Sequence, residues 1–113
     1  MHEMGLMQSL LASAARALRG GERAAKLTVA VTPLAGVDAH ALSFAFSALA
    51  ADDPRFAGAE LEVKQNPIRM RCGPCGRDYE ATLAAYACPA CGRVGEWAGG
   101  DDVSLEALEV CHV

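Results

Sequence analysis

The sequence predicts an α+β fold in which a small domain of two helices and three strands is interrupted by a zinc-ribbon-like module with four cysteines. Three observations predict this arrangement. Up to position 67 the apolar residues follow helical or alternating spacing, residues 68–99 are rich in cysteine, glycine and proline, and the last stretch is apolar again. Because the apolar faces on both sides of the cysteine segment need each other, we expect residues 1–67 and 100–113 to form one domain, with residues 68–99 inserted between its last two strands.

Two helices are predicted before the cysteine segment. Apolar residues recur at helical spacing from about Met4 to Arg19, where a pair of glycines stops the run. A second helix carries its apolar face between Asp38 and Asp52-Asp53-Pro54, and Asp38 is expected to cap its N-terminus. His40 falls on the polar side of this helix and is expected to be solvated.

Three strands complete the predicted domain. Leu27, Val29 and Val31 alternate with small or polar residues before a proline closes the strand. A second strand covers residues 60–64, in which apolar and charged residues alternate. The last strand runs from about residue 103 to residue 110, and its irregular alternation predicts a β-bulge.

Composition and charge exclude several classes of function. The chain has 113 residues, of which 5% are aromatic, and 10 Lys and Arg against 14 Asp and Glu give a formal charge of −4. An anionic, aromatic-poor protein is a poor binder of nucleic acid. The sequence has no apolar run near the roughly 18 residues of a membrane span, no secretory signal, and no nucleophile–base pair typical of an enzyme. We therefore expect a cytoplasmic, non-enzymatic protein whose cysteines bind metal rather than form disulfides.

The cysteine segment contains the strongest motif in the chain. The pattern C-x2-C-x12-C-x2-C is formed by Cys72, Cys75, Cys88 and Cys91. Two such turns bring four thiolates into a closed tetrahedron, which is the usual structural site of zinc. Gly76 and Gly92 follow the two pairs and are expected to adopt positive φ angles, so that backbone N–H groups turn toward the sulfurs.

Two alternatives to this structural zinc site remain open. The knuckles are also similar to those of rubredoxin, so an iron-containing electron carrier is a second hypothesis. A zinc-ribbon adaptor that binds protein or nucleic acid is a third, although acidic residues offset the arginines around the knuckles. The fifth cysteine, Cys111, stands beside His112 at the chain end, where a frayed terminus or a buried small side chain is expected rather than a second metal site.

The first three residues form a less visible metal motif. An unblocked amine of Met1, the His2 amide nitrogen and the His2 imidazole Nδ1 close adjoining five- and six-membered rings around one ion. The Glu3 amide nitrogen is expected to be the fourth in-plane donor. Such a nitrogen set suits square-planar nickel(II) or copper(II) better than zinc. The alternative is a solvated start of chain in which Glu3 only favours the N-terminus of the following helix.

This combination of motifs resembles the HypA/HybF family. The N-terminal Met1-His2-Glu3-Met4, the amphipathic helix, the two knuckles and the closing strand 105–110 occur in one order over the whole chain. One departure is Pro33, which stands where the family has a glycine-rich turn. Asp38 lies near the position at which some relatives carry an acidic residue close to nickel.

The resemblance implies a nickel metallochaperone of [NiFe]-hydrogenase maturation with two metal sites. Nickel would bind at Met1, His2 and Glu3, and zinc would be held by the four cysteines. The implied partners are the GTPase HypB, the hydrogenase large subunit and, for some members, urease maturation proteins. The sequence leaves the oligomeric state open between monomer and homodimer, and it leaves open whether Asp38 or His40 contributes to nickel binding.

Overall fold

The computed structural model of the chain describes residues 2–99 and 102–112. Its helices and strands are α1 (His2–Ala17), β1 (Glu22–Val31), α2 (Ala39–Ala50), β2 (Glu60–Gln65), β3 (Ile68–Cys72), β4 (Arg77–Ala81), β5 (Glu96–Trp97) and β6 (Val103–His112). The strands form two three-stranded sheets of order β2-β1-β6 and β4-β3-β5. No helix within these two ranges is long and apolar enough to cross a membrane. The predicted α+β architecture is confirmed.

The first sheet and the two helices share one hydrophobic core. β1 lies at the centre of the sheet, parallel to β2 and antiparallel to β6. Leu27, Val29 and Val31 of β1 are buried in a cluster with Met7 of α1 and Leu42 of α2. Because the strand alternates and each helix contributes one apolar stripe, the spacing in the sequence correctly identifies the faces that pack together.

The bulge predicted in the last strand lies at Glu106. The pairing of β6 with β1 passes from Ala107 to Leu105, so Glu106 has no partner on β1. Its carboxylate accepts hydrogen bonds from Nζ of Lys64 at 2.9 Å and from Nδ2 of Asn66 at 3.4 Å. These contacts, the one from Lys64 above all, lower the pKa of Glu106.

The residues between β2 and β6 form the second sheet, which has a separate small core. β3 and β4 are an antiparallel hairpin, and β5 pairs with the other side of β3. The buried residues of this part are Ile68, Met70, Cys72, Tyr79, Ala81 and Cys88. The cysteine segment therefore folds on its own sheet rather than adding strands to the first one.

The first helix differs from the sequence prediction at both ends. It begins at His2 rather than near Met4 and ends at Ala17 rather than Arg19. The early start has a tertiary cause, because Glu3 is buried against the start of α2. Apolar periodicity does not register a polar residue that is buried by a distant segment.

The first strand and the chain end also differ from the prediction. β1 begins at Glu22 instead of Leu27, because its first residues pair with the end of β6. Arg23 pairs with Cys111, and Glu22 pairs with His112. The expectation of a frayed terminus or a buried cysteine is wrong, since Cys111 and His112 lie in a strand with their side chains exposed.

Candidate metal centres

Two similar turns carry the four cysteines. Cys72 ends β3, Cys75 lies in the turn to β4, and the N–H of Gly76 donates to the Cys72 carbonyl at 2.8 Å with φ of 66°. In the second turn the N–H of Gly92 donates to the carbonyl of Cys88 at 2.8 Å with φ of 78°. A side chain is disfavoured at such angles, so the predicted positive φ of both glycines is confirmed, although their own N–H groups donate to carbonyl oxygens and not to sulfurs.

The four sulfurs converge on one point. The Sγ atoms of the four cysteines all lie within 4.8 Å of one another, and those of Cys72 and Cys91 are 3.5 Å apart. Four thiolates bound about 2.3 Å from a tetrahedral zinc would be roughly 3.8 Å apart, so the donor set and its spacing fit such an ion. Cys72 and Cys88 are buried, whereas the other two cysteines are exposed. The centre therefore lies at the edge of the small core.

The sulfurs resist ionising together. Burial opposes a charge on Cys88, but the N–H groups of Ala90 and Cys91 and the neighbouring thiols outweigh it and lower the pKa of Cys88 to about 7. The pKa of Cys75 rises to about 12, mainly because of its contacts with Cys91 and Cys72. A thiolate at Cys88 opposes a second thiolate at Cys75, and a bound cation would offset this repulsion.

A second polar cluster lies where the two helices begin side by side. The side chain of Glu3 is 9% exposed, and its Oε2 accepts a hydrogen bond from the N–H of Asp38 at 3.3 Å. The N–H groups of Glu3 and Asp38 lower the pKa of the Glu3 carboxyl, in that order of importance. The His2 side chain is 62% exposed, and its Nε2 lies 3.6 Å from the same Oε2. Met1, the first expected nickel ligand, lies outside the described residues.

This arrangement has consequences for the chemistry of His2. Because Nε2 faces a carboxylate, Nδ1 is the ring nitrogen available to a metal, and a carboxylate partner strengthens an imidazole ligand. The first N–H groups of a helix have no partner within it, so the amide nitrogens of His2 and Glu3 are not needed by α1. The start of α1 therefore offers nitrogen donors without the loss of a helical hydrogen bond.

Asp38 precedes the first residue of α2, as predicted. A 3₁₀ turn over Pro33–Ala35 and Gly36, with φ of 62°, connects it to β1, so the unusual proline is accommodated. The Asp38 carboxylate accepts hydrogen bonds from the N–H groups of His40 at 2.9 Å and Ala41 at 3.4 Å. The predicted helix cap is confirmed, and His40 is exposed as expected.

The structure thus brings the expected site residues into two groups. One contains the four cysteines, and the other contains His2 and Glu3 together with Asp38. Sequence analysis missed the contact between Glu3 and Asp38. No local signal could have revealed it, because the two residues are 35 positions apart and meet only when the helices pack.

Comparison with known proteins gives one consistent result. The family model for hydrogenase/urease nickel incorporation, metallochaperone, hypA matches residues 1–110. The hydrogenase maturation factors HypA of Solidesulfovibrio magneticus and Chloroflexus aggregans are each 37% identical, over 97% and 96% of this chain and 99% and 98% of their own lengths. The solution structure of the Ni metallochaperone HypA from Helicobacter pylori shares the fold, with a TM-score of 0.73 at 19% identity and full coverage of both chains. The chain belongs to the HypA family of metallochaperones for nickel incorporation into hydrogenase and urease, which are maturation factors and not enzymes.

Proposed function

We propose that this chain binds one Ni(II) at its first residues, carries a structural Zn(II) on four cysteines, and delivers nickel to the large subunit of a [NiFe]-hydrogenase in the cytoplasm. The GTPase HypB is the proposed partner in delivery, and urease maturation proteins are further candidate partners. The observation that carries the nickel proposal is the exposed His2 imidazole, whose Nε2 lies 3.6 Å from a buried carboxylate of Glu3.

Covalent geometry decides which nitrogens bind nickel in one plane. The Met1 amine and His2 amide share a five-membered ring, and the His2 amide and Nδ1 share a six-membered ring. The donors of such a ring occupy adjacent corners, and each corner of a square has two neighbours. Both neighbours of the His2 amide are then occupied. A Glu3 amide ligand would also share a ring with the His2 amide and would therefore need a corner next to it. The one corner left lies opposite the His2 amide, so we no longer expect the Glu3 amide to be the fourth donor in the plane.

The role we propose for Glu3 is to position His2. Its carboxylate is fixed by the N–H of Asp38 and lies beside Nε2 of His2. That contact orients the ring with Nδ1 toward the proposed nickel site. The fourth corner is open to Asp38 or His40, both exposed at the start of α2, or to a group of the client protein. A site with exchangeable corners suits transfer of the ion, whereas a closed cage retains it.

The proposed zinc site is closed. Cys72, Cys75, Cys88 and Cys91 would hold the ion, which would neutralise the thiolates and tie the two turns together. With four protein ligands it has no open position for a reacting group, so its contribution is structural. Colourless purified protein that contains one zinc per chain is expected, whereas red protein with iron would contradict this assignment.

We also propose the domain division expected from the sequence, with residues 1–67 and 100–113 forming the nickel domain and residues 68–99 the zinc module. The separate sheets and separate hydrophobic clusters support it. Gly100 and Asp101, where the chain returns to the nickel domain, lie outside the described residues. Expression of residues 68–99 alone tests the division, and zinc-dependent folding of that fragment is expected.

The test of the nickel proposal is a titration of untagged protein with a free Met1 amine, followed by calorimetry and absorbance. One nickel per chain with a square-planar absorption band is expected, and His2→Ala should lose this band while its zinc content stays unchanged. His112→Ala is the matched control, because His112 is exposed at the end of β6. Equal nickel binding by His2→Ala and the parent protein would contradict the proposal.

A further inference from the structure

Tyr79 is a buried tyrosine in the small core of the zinc module, and no metal-binding motif includes it. It lies on β4 opposite Met70 of β3 and is 8% exposed. Its hydroxyl donates a hydrogen bond to the carbonyl of Tyr86 at 2.8 Å and accepts one from the N–H of Gly95 at 2.9 Å. Both the donor and the acceptor capacity of the hydroxyl are therefore used inside the module.

The two partners of this hydroxyl flank the second cysteine pair. Ala87 and Val94, each one residue closer to the cysteine pair than Tyr86 and Gly95, form an antiparallel bridge. At the next pair of residues toward the turn, the N–H of Cys88 donates to the carbonyl of Arg93 at 2.7 Å. The two arms of the loop are therefore paired residue by residue up to the cysteine turn. The Tyr79 hydroxyl joins the pair farthest from the turn, Tyr86 and Gly95.

The other hydrogen bonds of this loop do not connect it to the hairpin that carries the first cysteine pair. In the described part of the chain, and leaving aside contacts among the cysteine sulfurs, the remaining hydrogen bonds of residues 83–95 stay within residues 82–95. The Tyr79 hydroxyl thus holds the base of the second turn to β4. Together with the pairing of Glu96 with Arg71 on β3, this contact positions the loop that carries Cys88 and Cys91 relative to Cys72.

The space around Gly95 shows how closely the loop base approaches the sheet. A Cβ added at Gly95 would lie 2.4 Å from the carbonyl oxygen of Arg71 and 3.1 Å from the Tyr79 hydroxyl oxygen. A side chain there would push the backbone away from both. Only glycine allows its N–H to reach the Tyr79 hydroxyl with the loop seated on β3.

We propose that the Tyr79 hydroxyl is a positioning group of the zinc site, which holds the second cysteine pair in register with the first. This inference rests on the proposed assignment of zinc to the four cysteines. Without the hydroxyl, the loop that carries Cys88 and Cys91 keeps its internal bonds but loses its attachment to β4. The four sulfurs then converge less well, and the bound ion is released faster.

Tyr79→Phe tests the proposal, because it removes the hydroxyl and keeps the ring in the core. Zinc release from the full-length protein to excess 4-(2-pyridylazo)resorcinol is expected to be about tenfold faster, the scale that loss of one or two ordinary hydrogen bonds predicts. Tyr86→Phe is the matched control, since Tyr86 is 53% exposed and its hydrogen bond with Tyr79 is made by its backbone carbonyl, which the substitution keeps. Its release rate should equal that of the parent.

Cobalt(II) substitution supplies a readout that a general loss of stability would not change. The thiolate-to-cobalt charge-transfer and ligand-field bands of folded Tyr79→Phe are expected to shift from those of the parent, and those of Tyr86→Phe to match them. Gly95→Ala, which displaces the other side of the same contact, is expected to release zinc at least as fast as Tyr79→Phe.

Two results would overturn the inference in distinguishable ways. If the parent binds neither zinc nor cobalt, the assignment of the four cysteines fails, and the role of Tyr79 fails with it. If the parent binds one zinc per chain, but Tyr79→Phe shows the parent's release rate and cobalt spectrum, the zinc site stands and the role of Tyr79 is refuted.

Discussion

The helical domain and the cysteine module proposed for this chain differ in the size of their hydrophobic cores. Among the residues that the structure describes, the hydrophobic cluster of the domain contains twelve buried residues from both helices and the first sheet, together with Phe56, which lies between α2 and β2 and is completely buried. The cluster of the module contains six buried residues, and two of these are cysteines. A segment of fewer than about 40 residues rarely supplies a sufficient core, so the module depends on its proposed zinc as the domain depends on apolar burial.

The two proposed metal sites differ in the same way as the regions that would hold them. Cys72 and Cys88 belong to the small core, and the sulfurs of all four cysteines converge from two turns. The proposed nickel donors of His2 belong to the first residue of a helix whose apolar face packs in the larger core. Removal of zinc should therefore affect the fold of one region, whereas removal of nickel should leave both folds intact.

The largest effect is expected from removal of zinc from the full chain. Structural zinc contributes roughly 10–16 kcal/mol in small zinc-dependent domains, far more than the module's core can replace. Hydrogen exchange after chelation should show loss of protection in β3 and β4 and retained protection in β1. Equal protection of β3 with and without zinc would show that the module is stable by burial alone.

A core substitution should have the converse effect. Phe56→Ala is expected to cost about 3–5 kcal/mol and to lower the melting temperature of the helical domain, because the aromatic ring is completely buried. The zinc content should remain at one per chain. Phe44→Ala is the matched control, since Phe44 is 66% exposed on α2 and its loss should leave the melting temperature nearly unchanged.

Acidification should separate the two sites by affinity. Nickel binding displaces protons from its nitrogen ligands, so the affinity for nickel should fall at least about tenfold between pH 7.5 and pH 5.5. The pKa of Glu3 is lowered, so its carboxylate remains charged across this range and adds no step. Zinc should be retained to lower pH than nickel, and equal nickel affinity at both pH values would contradict the proposed ligands.

The smallest effect is expected from Glu3→Gln. The amide keeps an acceptor for the N–H of Asp38 but removes the charge beside His2. Nickel affinity should fall by about tenfold or less, the low end of what loss of a group that orients a metal ligand causes, with no change in zinc content. Calorimetry would measure both, with Glu109→Gln, exposed on β6, as the control.

Local patterns predicted much of this fold and of the cysteine site. Alternation identified the buried face of β1, irregular alternation identified the bulge of β6, and Asp38 was correctly predicted as a helix cap. The positive φ of the glycine after each cysteine pair was also predicted, because it is a requirement of the local turn. Each of these features depends on residues close together in the chain, so the sequence around it contains the whole signal.

The features that local patterns missed all depend on distant residues. The early start of α1 follows from burial of Glu3 against the N-terminus of α2, and the early start of β1 follows from pairing with the end of β6. The role of Tyr79 likewise depends on Tyr86 and Gly95, which its hydroxyl joins. A tyrosine in a strand has the same local pattern whether or not its hydroxyl finds such partners.

The sequence by itself determined the fold class, the order of the two helices and of the three strands of the first sheet, and the two cysteine pairs. These follow from periodicity and spacing, which are properties of short segments. Only the tertiary structure decided that Glu3 is buried beside His2 and that the base of the second cysteine turn is attached to β4. The physical reason is that hydrogen bonds between distant segments form only after the apolar faces have packed. The spacing of residues within one short segment does not determine how that segment packs against another.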